Sequence, residues 1–335
     1  RNMEAEKEPA TVQPEPAAPV QPDYRVGDTL YLDGKAFTIE KVGLFDVELR
    51  DPDSVYPIFR SESKENLARL LGHEENVHLH NLVVDLNPGK EEAFRAGHEA
   101  KHAENYRINS FHLGEGSPKQ KFRANMDAIY TLKALENQHR DATPEEQETL
   151  ANYVGWGGLA DAFDAEKTAW AGEYKELKAA LTEEEYAAAM ASSLNAHSTS
   201  PTVIRAIYEA LDGMGFEKGN ILEPSMGVGN FFGMLPDSML GSRLYGVELD
   251  SITGRIAQKL YPQAEIKVAG FETTDRRDFY DLAVGNVPFG NYRVSDKPYD
   301  KLGFSIHNYF FAKALDQVRP GGIVAFVTSL SLIHI

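Results

Sequence analysis

Four short apolar runs recur from residue 221 to residue 327, separated by stretches of helical spacing. They are Ile221-Leu222, Leu244-Tyr245-Gly246-Val247, Leu282-Ala283-Val284 and Ile323-Val324-Ala325-Phe326-Val327. Runs too short for a helix and bounded by turn residues read as buried strands. Strands alternating with helices predict a parallel, doubly wound α/β sheet from residue 196 to 329.

The chain upstream has a different character. Residues 1–23 carry 5 of the 17 prolines among Glu, Ala and Gln. Such a segment buries too little apolar surface to offset its ordering entropy, so it reads as a disordered, Pro-rich linker in a chain that begins inside a longer protein. Residues 24–75 alternate apolar and polar residues in Tyr24–Leu32, Ala36–Val42 and Phe45–Leu49, with Asp33-Gly34 as a hairpin turn. They predict a small β-barrel or meander, which pattern alone makes an adaptor module without chemistry. Residues 76–195 read as helical, with starts at Thr143-Pro144 and Thr182, and a rigid turn at Val154-Gly155-Trp156-Gly157-Gly158-Leu159. The last residues, 330–335, read as a non-native tail.

The 34 basic and 51 acidic residues give a formal charge of −17. This argues against a generic DNA-coating protein, so any nucleic-acid contact must rest on local basic patches. The candidates are Lys119, Lys121 and Arg123, then Arg276-Arg277, and Arg293 with Lys297. No apolar run approaches ~18 residues, which argues against a membrane span, and the first residues lack the apolar stretch of a secretory signal. With no cysteine there are no disulfides, thiolate zinc sites or thiol nucleophiles, which suits a reducing cytoplasm.

Four constellations carry chemistry. Glu223-Pro224-Ser225-Met226-Gly227-Val228-Gly229 follows a strand and precedes a helix, where glycines let a backbone approach a ligand closely. Glu248, at the end of the next strand, has the position of an acid that accepts ribose hydroxyls, although an acid there also caps helices, as Asp250 does in one reading. Asn286-Val287-Pro288-Phe289 ends a third apolar run. Its amide oxygen can accept from an amino group and its ring can stack on a base. Thr199-Ser200-Pro201 opens a helix just ahead of the first strand, with a hydroxyl that caps the helix or holds a carboxylate.

In this order the four resemble the amino-methylating DNA methyltransferases of the N6-adenine class. Thr199-Ser200-Pro201 stands at that family's Thr-Pro motif, Glu223–Gly229 at its Asp-Pro-x-x-Gly-x-Gly, and Asn286–Phe289 at its Asn-Pro-Pro-Tyr/Phe, with Val287 for the first proline. A narrower resemblance is to the methylase part of the large methyltransferase–helicase proteins of conjugative elements and phages, through Gly155–Leu159, Asn286–Gly290 and the run Tyr299–Tyr309. It implies a Rossmann-like, S-adenosylmethionine-dependent methyltransferase sheet, C-terminally truncated, preceded by a helical region and a small β-rich module. It implies S-adenosyl-L-methionine along Gly227 and Gly229, its ribose on Glu248, its carboxylate near Thr199, and Glu272 with Phe271 beside the cofactor adenine. A base flipped from double-stranded DNA would stack on Phe289, with Asn286 and Pro288 accepting from its amino group. No metal is needed. A helicase would share the parent chain, and the fragment alone is expected to fall short of full activity.

Three rival readings remain. His98-Glu99-Ala100-Lys101-His102 satisfies the H-E-x-x-H spacing of a zinc peptidase, but on a helix polar nearly all round it reads as a solvated face. A degenerate methylase could sense the cofactor or grip DNA for a helicase. Asn-Pro-Pro-Tyr-like motifs also serve protein-glutamine and RNA methylation. A nucleotide dehydrogenase fits poorly, because the glycine spacing is GxGxxxG and Asn-Val-Pro-Phe has no work in hydride transfer.

Overall fold

The computed structural model describes residues 24–32, 35–51, 59–64, 67, 78–79, 82–83, 103–108, 114–193 and 199–328. The segment 1–23, Asp33-Gly34, the His98–His102 motif, His197-Ser198 and the tail 329–335 lie outside the described residues. The chain divides into two compact units, Arg1–His102 and Ala103–Ile335.

In the first unit four strands form an antiparallel meander: β1 (Thr29–Leu32), β2 (Lys35–Val42), β3 (Asp46–Arg50) and β4 (Phe59–Ser63). Leu32 pairs with Lys35, the register a two-residue hairpin requires. Leu30, Leu32, Ile39, Val47 and Leu49 lie in its core, as the alternating pattern predicts, and Leu67 joins them. Two short strands, β5 (His78–Leu79) and β6 (Leu82–Val83), pair with each other.

The second unit begins with helices α1 (Pro118–Asn137), α2 (Pro144–Ala151), α3 (Ala171–Ala180) and α4 (Glu183–Ser192). Ser117, Thr143 and Thr182 open α1, α2 and α4 with capping boxes, in which Gln120, Glu146 and Glu185 return the hydrogen bond. Then α5 (Pro201–Gly213) leads into a five-stranded sheet of β7 (Asn220–Glu223), β8 (Arg243–Glu248), β9 (Glu265–Val268), β10 (Tyr280–Asn286) and β11 (Val318–Val327). Its order is β11-β10-β7-β8-β9 and every pair is parallel. The crossovers carry α6 (Asn230–Gly233), α7 (Ser251–Leu260) and α8 (Ile306–Gln317).

This is the predicted doubly wound, Rossmann-like α/β sheet. The chain runs outward from β7 through β8 to β9, then returns to place β10 on the other side of β7. The connections after β7 and β10 therefore diverge. In open parallel sheets that switch point leaves a ligand-binding crevice at the carboxyl ends of the strands.

The upstream helices share the sheet's unit. Arg255 of α7 grips Glu136 of α1 with two hydrogen bonds of 2.6 Å and reaches Glu185 of α4 at 3.0 Å. Trp156, 1% exposed, anchors the Gly-rich turn by edge contacts to Phe122, Tyr153 and Phe163. Buried Asn125 clamps the same turn, donating to the Gly155 carbonyl (2.6 Å) and accepting from Val154 N–H (2.9 Å). Among the described residues no helix is long and apolar enough to cross a membrane.

Candidate functional site

The loop after β7 is hooked over β8. Met226 N–H donates to the Val247 carbonyl at 3.0 Å, and Gly229 N–H turns back to the Met226 carbonyl at 2.9 Å. Gly227 (φ +57°) and Gly229 (φ +85°) take the left-handed conformation that L side chains rarely adopt. At Gly229 a Cβ would also lie 2.5 Å from the Tyr261 ring, whereas one at Gly227 would meet nothing within 4 Å. Gly229 therefore serves packing, and Gly227 borders open space. The helix that follows, α6, has only four residues, so its dipole is small.

Glu248 ends β8 beside this loop. Its carboxylate accepts Gly227 N–H at 2.8 Å and Asp250 N–H at 2.9 Å. Burial pushes its pKa up, and the backbone N–H groups of Asp250 and Gly227 pull against that. Asp250 does separate work: its side chain caps α7 through Thr253 N–H (2.9 Å) and Thr253 Oγ1 (2.6 Å). The neighbouring acids thus divide into a loop-bound group and a helix cap. Between them Leu249 is 75% exposed. Sequence reasoning passed it over, although an apolar residue between two acids at a strand end is a legible signal.

Glu223, 2% exposed, ends β7, and its Oε2 has no hydrogen-bond partner among the described residues. Burial, with the charge of Glu248 added, pushes its carboxyl well above the usual range. It lies against the neighbouring strand, since a Cβ at Gly285 would come within 3.2 Å of Glu223 Cγ.

Asn286 ends β10, the strand paired with β7 through Leu282–Ile221 and Ala283–Leu222. Its Oδ1 is buried without a hydrogen-bond partner among the described residues. A buried acceptor left unmade is costly, so Asn286 Oδ1 is a candidate for contact with a ligand. Val287, 1% exposed, belongs to the sheet's core, Pro288 is half-buried, and Phe289 is 45% exposed. Val287, which stands where the motif it resembles has a proline, packs in that core. The loops after β7 and β10 thus open on one edge of two adjacent strands.

The remaining candidates divide. Thr199 is half-buried just before Ser200, and Ser200 is the cap of α5, accepting Val203 N–H. Glu272 is half-buried in the turn after β9, its carboxylate folded back over Gly270. Phe271 departs from expectation: it is 2% exposed and packs on Phe310 with ring centroids 4.9 Å apart, so its ring serves the core. The basic patch on α1 also departs from it. Lys119 bonds Glu173 (2.5 Å) and lies over the Trp170 ring, and Arg123 bonds Glu176 (2.8 Å) and Asp127 (3.1 Å). These two cations tie α1 to α3, and Lys121 is half-buried beside them. Arg276 pairs with Glu265 and Arg277 with Asp316. By contrast, Arg293 and Lys297 are exposed and have no carboxylate partner among the described residues. A cleft of about 250 Å³ opens beside Arg293, floored by Tyr299, Phe304 and Tyr309.

No family model matches the chain. Over 226 residues it is 28% identical to Defense against restriction protein B of Escherichia phage P1, an alignment covering 66% of this chain and 8% of that protein. Over 74 residues it is 38% identical to Type II methyltransferase M.CvrRI of Paramecium bursaria Chlorella virus XZ-6E, covering 22% of this chain and 19% of that protein. The chain thus spans less than a fifth of the length of either relative. Among solved structures, a Listeria monocytogenes protein described as a class I S-adenosylmethionine-dependent methyltransferase matches with a TM-score of 0.38 and 13% identity, over 65% of this chain and 76% of that one. The PH0226 protein of Pyrococcus horikoshii OT3 matches with a TM-score of 0.29 and 18% identity, over 46% and 65% of the two chains.

Proposed function

We propose that the crevice between the loops after β7 and β10 binds S-adenosylmethionine, and that the chain is the methylase part of an adenine-N6 DNA methyltransferase whose parent protein also carries a helicase. The observation that carries this reading is the unpartnered amide oxygen of Asn286, buried one strand away from the Gly227–Glu248 hydrogen bond. Sequence similarity to a type II methyltransferase and to a phage defense protein supports it.

The residues present fit the cofactor. The Glu248 carboxylate accepts the Gly227 and Asp250 backbone N–H groups and retains acceptor capacity for a ribose hydroxyl. The Oε2 of Glu223, without a hydrogen-bond partner among the described residues, is a further polar contact for the cofactor, and the open backbone at Gly227 permits close approach. Leu249 offers exposed apolar surface for an adenine face, with Thr199 and Glu272 as further polar contacts. S-adenosylmethionine, when bound, supplies a methyl group activated on a sulfonium.

The protein's own part is positioning and electrostatics. Phe289 gives an extruded adenine a face to stack on. Asn286 Oδ1 accepts an N–H of the exocyclic amine, which orients the nitrogen lone pair away from the acceptor. The same acceptor becomes more valuable as the nitrogen gains positive charge during transfer. A carbonyl near Pro288 accepts the other N–H, held by the buried Val287 side chain.

The test is transfer of tritium from labelled S-adenosylmethionine to adenine in DNA by the full parent protein. Asn286→Ala should lower the rate by about 100-fold or more, the scale of losing one preorganised charge-stabilising group. Transfer that survives the substitution would contradict the assignment.

A further inference from the structure

Beside the Phe289 that the methyl-transfer reading uses, the loop between β10 and α8 carries a surface that it does not. Phe289 is 45% and Tyr292 52% exposed on it. Arg293, Lys297 and Lys301 on the same loop are exposed, and none has a carboxylate partner among the described residues. The one acid at the loop surface, Asp300, is already engaged by Asp296 N–H (2.7 Å) and Ser295 Oγ (3.2 Å).

The loop is braced from beneath. Asp296 accepts the Lys313 ammonium and the Tyr309 hydroxyl, each at 2.6 Å, with Lys313 and Tyr309 buried. Tyr299 OH reaches Asp316 at 2.7 Å, and Ile306 N–H donates to the Tyr292 carbonyl at 3.1 Å. Gly290 clears space for one exposed ring, and Gly303 lies in ordinary contact distance of the Arg293 guanidinium. A Cβ at Gly290 (φ +149°) would lie 3.0 Å from the Tyr292 ring, and one at Gly303 (φ +63°) would lie 3.5 Å from Arg293 Nη1. The aromatic face and the guanidinium are therefore presented by a rigid frame, which lowers the ordering cost of binding.

Two exposed rings followed along one loop by three cations without carboxylate partners among the described residues fit a single polynucleotide strand, where bases stack on aromatics and a short positive track follows the backbone. A duplex asks for more: its phosphates are dense, and the chain is formally −17 with its other basic patch neutralised by α3. We infer that Phe289, Tyr292, Arg293, Lys297 and Lys301 form a track for a short single-stranded segment, with Tyr292 stacking the nucleotide next to the target base. This rests on the methyltransferase reading only for what the strand delivers. The substrate is then a strand already unpaired, the kind of DNA a helicase leaves behind it.

Fluorescence anisotropy with the full chain, without cofactor, tests this. The probes are fluorescein-labelled 12-mers of dT and rU and a 12-bp duplex of mixed sequence. The single strands should bind at least threefold more tightly than the duplex. A dT preference supports a DNA track, and an equal or greater rU affinity supports the track while moving its substrate to RNA. Tyr292→Ala should weaken single-strand binding about five- to hundredfold, the range for one lost base stack, and Tyr292→Phe should restore it. Replacing Lys297 or Lys301 by Gln should each lower the salt slope by about 0.7. Duplex binding as tight as single-strand binding, no binding to any probe, or an unchanged Tyr292→Ala would overturn the inference. Cofactor binding that still depends on Glu248 in that event leaves the methyltransferase reading standing, and its absence removes that reading instead.

Discussion

The Glu248 carboxylate at the end of β8 accepts the backbone N–H of Gly227 in the loop after β7 at 2.8 Å. Two consecutive crossovers are thereby locked at the same edge of the sheet. The acid predicted to hold a ribose also shapes the loop predicted to lie along the cofactor, so one substitution disturbs both. Glu248→Ala should weaken S-adenosylmethionine binding in calorimetry by about 10- to 100-fold, because hydrogen bonds to a charged group contribute roughly 1.5–3 kcal/mol. Unchanged affinity would remove Glu248 from the site.

Gly229 is fixed by two independent constraints, a φ of +85° and the Tyr261 ring 2.5 Å from where a Cβ would stand. Gly229→Ala should lower stability by about 2–4 kcal/mol, adding left-handed strain to overpacking. Gly172, in α3 with nothing within 4 Å of its would-be Cβ, gives the contrast. Gly172→Ala should raise stability by about 0.5–1 kcal/mol. Urea denaturation midpoints of the two variants measure both.

The raised pKa of Glu223 makes stability depend on pH in a defined direction. Above the ordinary value of 4.5 the unfolded chain releases this proton while the folded chain retains it, so stability falls as pH climbs from 4.5 toward the folded value. Glu223→Gln removes that slope. The melting temperature of the variant relative to the parent should therefore rise between pH 5 and pH 8. A difference constant with pH would show that Glu223 is not held protonated by the fold.

Glu185 has the opposite sign. Burial alone would raise its pKa, but hydrogen bonds from Lys133 (2.8 Å), Thr182 N–H (3.0 Å) and Arg255 (3.0 Å) hold it at about 2. Its stabilisation is complete above 4.5 and is lost as pH falls from 4.5 to about 2. Glu185→Gln should cost about 1–3 kcal/mol at pH 7. Urea titrations should find that gap closing toward pH 2, and a gap of the same size at pH 2.5 and 7 would contradict the network.

The sheet was legible where apolar residues run without interruption. Strands β7, β8, β10 and β11 each contain an apolar run. β9 does not: Glu265-Ile266-Lys267-Val268 alternates because it is an edge strand half open to water, and only the family resemblance implied a strand ahead of Glu272. Glu223–Gly229 and Asn286–Phe289 were legible because each is one contiguous turn at a strand end. Contacts between distant segments were not. The Arg255–Glu136 pair joins residues 119 apart, and nothing in either local sequence announces that the helices upstream of 195 dock on α7. The same limit governs Lys119 and Arg123, whose acidic partners lie on another helix, and Phe271, whose ring is claimed by Phe310.

The central claim is that one crevice serves both loops. Backbone amide resonances of the isotopically labelled chain, followed by NMR during titration with S-adenosylmethionine, test it directly. Gly227 and Gly229 should shift together with Gly285 and Asn286, along one binding curve, while the first unit's Val47 and Leu49 stay in place. A titration that moves the glycine loop and leaves Gly285 and Asn286 untouched, or moves neither, would contradict it.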